Sequence, residues 1–148
     1  MIVDVQSAID ISRPLSQVSA YAADPDNAPL WYVNIKSVEW VTAPPAKVGS
    51  RIAFVARFLG RRLAYTYEIV EFIPKVRLVM RTAEGPFPME TTYTWESNAS
   101  GTTRMTLRNR GAPSGFFVWV APLMAFAMRR ANRKDLALLK ERLEEIDV

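Results

Sequence analysis

The first regularity along the chain is alternation. Val3 to Ile11 alternates loosely between apolar and polar residues and reads as a strand, stopped by Ser12-Arg13-Pro14. Pro14 suits the first turn of a helix with Ser12 or Arg13 near its cap, and Leu15, Val18, Tyr21 and Ala22 would share one face of it. Asp24-Pro25 ends that helix, and residues 25–31 read as a second short helix or turn. From Ile35 the pattern turns to strands. Ile35 to Val41 is one, broken by Ala43-Pro44-Pro45. Arg51 to Leu59 puts Ile52, Phe54, Ala56 and Phe58 on one face, and Arg62 to Ile73 does the same with Leu63, Tyr65, Tyr67 and Ile69. Gly60-Arg61 between them predicts a type II′ hairpin turn. That turn would pair Phe58 with Leu63, Ala56 with Tyr65, Phe54 with Tyr67 and Ile52 with Ile69.

Val76 to Arg81 reads as a further strand with Val76, Leu78 and Met80 inside and Arg77 and Arg81 outside. Gly85-Pro86 is a turn, and Met89 to Glu96 with Thr102 to Arg110 forms a second hairpin around residues 98–101. Its inward row holds Met89, Thr91, Tyr93 and Trp95 facing Met105, Leu107 and Asn109, and its outer rows set Glu90 and Glu96 against Arg104 and Arg108. Residues 111–115 break the pattern. From Phe116 to about Ile146 the chain reads as helix, with Leu136, Leu139, Leu143 and Ile146 on one stripe. Phe116 to Met128 is apolar on all sides, and Pro122 within it predicts a kink or a fresh helix start.

This order of elements predicts an α+β fold: one strand, two short helices, a curved antiparallel sheet totalling six to seven strands, and a long C-terminal helix. Each strand has one polar face, so the sheet is covered on one side, and the long helix is the obvious cover. A curved sheet gripping one helix leaves space between them, and the aromatic and Met rows point into it. At 148 residues the chain is expected to form one domain over 1–148.

The chain has no cysteine and no histidine. That removes a disulfide framework, thiolate and Ser-His-Asp nucleophiles, and zinc sites of the usual Cys/His kind. No metal and no cofactor is expected. Acid–base work would fall to Asp, Glu, Tyr or Lys. The net charge of +4 permits contact with anionic membrane or nucleic acid without arguing for either. The first residues carry neither a basic start nor an apolar leader, which predicts no secretion signal and a cytoplasmic location. Phe116 to Met128 is too short for a transmembrane helix, which needs about 20 residues.

The stretch Ala22-Ala23-Asp24-Pro25-Asp26-Asn27-Ala28-Pro29-Leu30-Trp31 leading into Val38-Glu39-Trp40 resembles the polyketide cyclase/dehydrase-type branch of the START-like (SRPBCC) superfamily. So do Tyr93-Thr94-Trp95-Glu96 followed by Gly101-Thr102, and the closing Asn132-Arg133-Lys134-Asp135-Leu136 with Leu139-Lys140. The resemblance covers nearly the whole chain. It implies a helix-grip fold with a deep apolar cavity. The superfamily includes aromatic polyketide cyclases, lipid and sterol carriers, hormone receptors and chaperone activators, so the likeness does not choose an activity.

The candidate ligand-binding residues are the inward Trp31, Phe54, Phe58, Tyr65, Tyr67, Tyr93, Trp95, Met105 and Asn109, with Phe116, Trp119 and Met124 from the helix. For each aromatic, core packing competes with a place in a cavity wall. Tyr65, Tyr67 and Tyr93 are more telling together, because buried phenols need hydrogen-bond partners. Asn109 is expected to bond backbone near Pro113. Glu68 and Glu90 are expected to face outward in surface ion pairs. No catalytic residue stands out. Phe116 to Met128 reads as the buried half of the helix with a cavity gate, in preference to a membrane or partner patch beside Arg129, Arg130, Arg133 and Lys134. The outward arginines read as a solvated sheet face, so no nucleic-acid partner is expected.

Three functions follow. The first is binding of a small hydrophobic molecule: a lipid, isoprenoid, polyketide or aromatic metabolite. The second is a cyclase, aromatase or dehydratase in which a tyrosine or carboxylate moves protons. The third is a protein-interaction or membrane-surface module using Phe116 to Met128, with transient membrane contact or a homodimer as its partner.

Overall fold

The computed structural model describes residues 3–114 and 116–145, without the side chains of Phe116 and Phe117. Strand β1 (Val3–Ile11) is followed by helix α1 (Leu15–Ala23), a 3-10 turn (Pro25–Asn27) and helix α2 (Ala28–Trp31). Strands β2 (Ile35–Trp40), β3 (Arg51–Phe58), β4 (Arg61–Ile73), β5 (Arg77–Glu84), β6 (Met89–Ser97) and β7 (Thr103–Gly111) come next. Helices α3 (Phe116–Trp119) and α4 (Ala121–Glu145) close the described chain. The helix start at Ala121 puts Pro122 in the first turn of α4, where its missing N–H costs nothing. Pro14 takes the cap position of α1 in an extended conformation, and its carbonyl accepts the Val18 N–H at 3.1 Å.

The seven strands form one antiparallel sheet in the order β1-β7-β6-β5-β4-β3-β2. β2 to β7 form a meander, and β1 joins its far edge beside β7, so α1 and α2 carry the chain from one sheet edge to the other. Register shifts in β2–β3 and β4–β5 increase the local twist, and the sheet curls into a half-barrel around α4: an α+β helix-grip fold. On α4 the buried residues Met124, Met128, Leu136, Leu139 and Leu143 form the stripe that faces the sheet. Ile146, the expected end of that stripe, and Gly115 lie outside the described residues.

Two local expectations are corrected. The β3–β4 turn is Leu59-Gly60, with φ of 52° and 74°, so both central residues are left-handed as in a type I′ turn. Phe58 pairs with Arg61, Ala56 with Leu63, Phe54 with Tyr65 and Ile52 with Tyr67. The pairing moves by two residues from the expected register, so every side chain keeps its face. Leu59 is a rare choice at positive φ, and its side chain packs against the apolar cluster of Leu63, Phe87 and Met124. The second correction is Val76, which is 46% exposed because it lies in the turn before β5, its N–H bonded to the Ile73 carbonyl.

The outer face is polar, with Glu68 and Glu90 in surface ion pairs as expected, but Arg104 and Arg108 pair with Asp10 and Asp4 of β1 rather than with Glu90 and Glu96. Arg51 meets Glu68 at 3.1 Å, Arg81 meets Glu90 at 2.6 Å and Arg108 meets Asp4 at 2.6 Å. Such exposed pairs contribute about 0–1 kcal/mol each, so stability rests on the inner face. Leu139 is wholly buried there, whereas Ala137 is exposed on the same helix. Leu139→Ala should lower the unfolding free energy by about 2–5 kcal/mol, and Ala137→Ser by under about 1 kcal/mol, in urea titrations followed by circular dichroism.

Candidate functional site

α4 packs chiefly against β1, with a few contacts to β7. On the other side, toward β3 and β4, the space between helix and sheet is incompletely filled and forms a cavity of about 150 Å³. Phe54, Ala56 and Phe58 of β3 and Leu63, Tyr65 and Tyr67 of β4 line one wall. Met124, Met128, Asn132 and Asp135 of α4 line the opposite one. These α4 residues recur at helical spacing over about 16 Å of axis, so the cavity has a chemical gradient along it. Near the start of α4 the surroundings are apolar, with Phe58, Phe87 and Met89 beside Met124. Further along, Tyr32, Asn34, Thr91, Tyr93 and Asn109 join Asn132 and Asp135.

The polar end is ordered by hydrogen bonds. Thr91 Oγ1 donates to Asn109 Oδ1 at 2.7 Å, and Asn109 Nδ2 donates to Asn132 Oδ1 at 2.8 Å. Asn132 is buried, and its Nδ2 has no hydrogen-bond partner among the described residues. The hydroxyls of Tyr32 and Tyr93 lie 2.5 Å apart. Asp135 Oδ1 accepts the Val33 backbone N–H at 2.9 Å, which ties α4 to the segment after α2. The Gly85 backbone comes so close to the Tyr65 ring that a Cβ there would overlap it, so this glycine sets the room the ring has.

Burial governs the protonation of these groups. It pushes Asp135 up to about 7, against the opposing pull of the Val33 N–H. Burial raises Tyr67 to about 12, with a Thr91 hydrogen bond acting the other way. Tyr32 is held well above its ordinary value by burial, then by the charges of Tyr93 and Asp135, and burial raises Tyr65 and Tyr93 as well. At neutral pH these phenols are therefore proton-bearing donors, and Asp135 is poised to gain or lose a proton. Among the described residues no group of acidic side chains is placed to hold a metal ion.

Of the candidates named from the sequence, Phe54, Phe58, Tyr65, Tyr67, Tyr93, Asn109 and Met124 are in the cavity wall. Trp31, Trp95 and Met105 are buried behind it. Trp31 packs on Tyr32 with ring centroids 4.2 Å apart, and Trp95 Nε1 donates to Met105 Sδ at 3.2 Å. Trp119 is 87% exposed and outside the wall, and the Phe116 side chain lies outside the described residues. The Asn109 amide reaches α4 rather than backbone near Pro113. The expectation that Phe116 to Met128 is mainly buried is corrected: Ala121, Met124 and Met128 are buried, but Val118, Trp119, Leu123 and Phe126 are exposed. Sequence reasoning missed Tyr32, Asn34, Phe87, Asn132 and Asp135 as wall residues. The signal for two of them was present: Asn132 and Asp135 continue the buried spacing of Met124 and Met128 toward Leu139, polar residues in phase with an apolar stripe.

Asp135 ties stability to pH. In the unfolded chain its carboxyl ionises near 3.8, whereas folded Asp135 keeps its proton up to about 7. Between these values the folded state binds more protons than the unfolded state. Its contribution to stability therefore falls as pH rises through that window and stays low above it. Asp135→Asn keeps an acceptor for Val33 and removes the charge. The variant should match wild type near pH 4 and exceed it by about 2–4 kcal/mol at pH 8 in paired urea melts. Parallel curves would show that Asp135 ionises normally.

Comparison with known proteins follows this geometry closely. Solved structures with the same fold include a Thermus thermophilus protein at 21% identity, with a TM-score of 0.83 over 95% of this chain and 97% of that one. A START superfamily protein from Mycobacterium smegmatis is 11% identical, with a TM-score of 0.81 over 97% of this chain and 99% of that one. The Zhui aromatase/cyclase from Streptomyces is 14% identical, with a TM-score of 0.80 over 97% of this chain and 94% of that one. No curated protein matches the chain. Residues 3–144 match the family described as "Polyketide cyclase / dehydrase and lipid transport", and the chain belongs to that family.

Proposed function

We propose that this chain binds a small, mainly apolar molecule carrying one polar group, held between the sheet and α4. The observation that carries this reading is the Asn132 amide, buried in the cavity wall with an unmet N–H donor. An unpaired buried donor costs about 1–3 kcal/mol, and a ligand oxygen at the polar end would relieve that cost. A cavity of about 150 Å³ is close to one that admits a benzene-sized guest. Among the hydrophobic ligand classes, an aromatic metabolite or a compact polyketide ring fits this space, and a whole phospholipid exceeds it. Family membership supports a ligand-binding cavity of this kind.

Asp135 favours a second reading, proton transfer on such a ligand. A carboxyl with a pKa of about 7 among apolar walls suits both halves of a general acid–base cycle. The Tyr32–Tyr93 pair, held protonated, would donate its one free O–H to an enolate oxygen formed when Asp135 removes an adjacent C–H proton. The aromatase/cyclase likeness fits this chemistry at the level of fold.

Binding is tested with 2-naphthol and naphthalene, read by fluorescence. 2-Naphthol should bind about tenfold more tightly than naphthalene, the equivalent of one hydrogen bond in a buried site. Asn132→Leu should erase that preference, and Ala56→Leu should fill the cavity and weaken both ligands. Failure of the folded protein to bind either compound would sink the binding reading. For the chemistry, a poly-β-ketone thioester is offered to wild type and Asp135→Asn. Turnover should drop by about 100-fold or more while 2-naphthol still binds. Equal turnover by both would remove Asp135 from any reaction.

A further inference from the structure

Val118, Trp119, Leu123 and Phe126 are exposed by 46, 87, 53 and 61%, a concentration of bare apolar side chains at the α3–α4 junction. Leu123 and Phe126 lie on the solvent stripe of α4, and the same stripe continues with Arg130 and Arg133, flanked by Arg129 and Lys134. Among the described residues these cations lack the carboxylate partners that most of the sheet arginines have. Arg51, Arg77, Arg81, Arg104 and Arg108 on the sheet each stand against a carboxylate. Arg129, Arg130, Arg133 and Lys134 are all exposed, and none is in an ion pair among the described residues.

We infer that the α3–α4 junction and the first turns of α4 dock on an anionic phospholipid bilayer, Trp119, Leu123 and Phe126 entering the headgroup boundary and the four cations meeting lipid phosphates. An apolar tip with an uncompensated basic cluster beside it is the combination an anionic interface attracts. A second copy of the chain fits less well, because residues 116–128, which a two-fold contact would set against the basic cluster or against each other, carry no carboxylate to meet it. Nucleic acid fits less well too: Trp119 and Phe126 offer stacking faces, but the aliphatic Val118 and Leu123 beside them would stay in water. The inner side of these turns carries Met124 and Met128 of the cavity wall, so docking brings the apolar end of the cavity to the bilayer surface. The inference stands apart from the identity of any cavity ligand.

The experiment is vesicle flotation of the full chain, using phosphatidylcholine vesicles with and without phosphatidylglycerol at low and high salt. Binding should be at least about tenfold stronger on the anionic vesicles and should weaken at high salt. Trp119→Ser with Phe126→Ser should abolish it, and neutralising Arg129, Arg130, Arg133 and Lys134 to Gln should reduce it to the level seen on neutral vesicles. Should the four-residue variant not fold, the apolar pair of substitutions and the salt dependence decide the matter. Trp119 emission should shift to the blue on anionic vesicles, judged by difference from Trp119→Phe. Absence of vesicle binding, or binding indifferent to Trp119 and Phe126, would overturn the inference. So would a stable dimer that Trp119→Ser dissociates, or nucleic-acid binding lost with the cations alone.

Discussion

One helix has to cover the inner face of seven strands, and the rest of the molecule answers to that mismatch of widths. Strands about 4.8 Å apart make a flat sheet of this size some 30 Å across, whereas a helix with its side chains is only about 10–12 Å wide. The sheet can hide its apolar rows only by curling. The register shifts in β2–β3 and β4–β5 supply the extra twist, and the Val33–Asp135 bond holds the segment before β2 against the helix. Curling does not close the space evenly. α4 sits against β1, and the gap opens beside β3 and β4, so the cavity follows from the same geometry that makes the core.

The gap would be a plain packing defect if its walls were all apolar. They are not. Asn132 and Asp135 occupy α4 positions where Leu would pack, and Tyr32, Tyr67 and Tyr93 bring hydroxyls to the same region. Burying these groups opposes folding: Asp135 holds a proton it would otherwise lose, and the Asn132 donor is unmet among the described residues. A sequence selected for stability alone has no use for either. Asn132 is tied into this end through Asn109 and Thr91, and Asp135 through the Val33 N–H; their joint location at one end of one cavity is what supports the proposed binding site over a loose core.

Much of this was legible in the chain itself. Alternation reports which face a side chain takes. That is why the inward rows of β3, β4, β6 and β7 survived a two-residue error in the register of the first hairpin. Alternation does not report depth. Trp95 and Met105 share the inward sense of Tyr67 and Tyr93, yet they lie behind the wall, because depth depends on where α4 rests across the sheet. The pattern places Gly60 first in the β3–β4 turn, whereas in the structure it is the second central residue. Leu59 takes the first place at positive φ, supported by packing against an apolar cluster whose members, Phe87 and Met124 among them, lie far away in sequence. Asp135 was hidden for a different reason: it stands among Arg133, Lys134 and Lys140, where a carboxylate reads as one more surface charge until the helical phase is counted.

The two halves of the final helix answer different demands. Its second half is amphipathic in the ordinary way, with Leu136, Leu139 and Leu143 inside and charges outside, and it closes the core. Its first half is apolar on both sides, with Met124 and Met128 turned to the cavity and Leu123 and Phe126 turned to solvent. Packing explains the inner pair and leaves the outer pair without a structural task. Exposed aromatic and aliphatic residues are unremarkable when scattered, but here they cluster with Trp119 next to uncompensated cations. The same few turns that wall the cavity's apolar end are thus the turns least suited to face water.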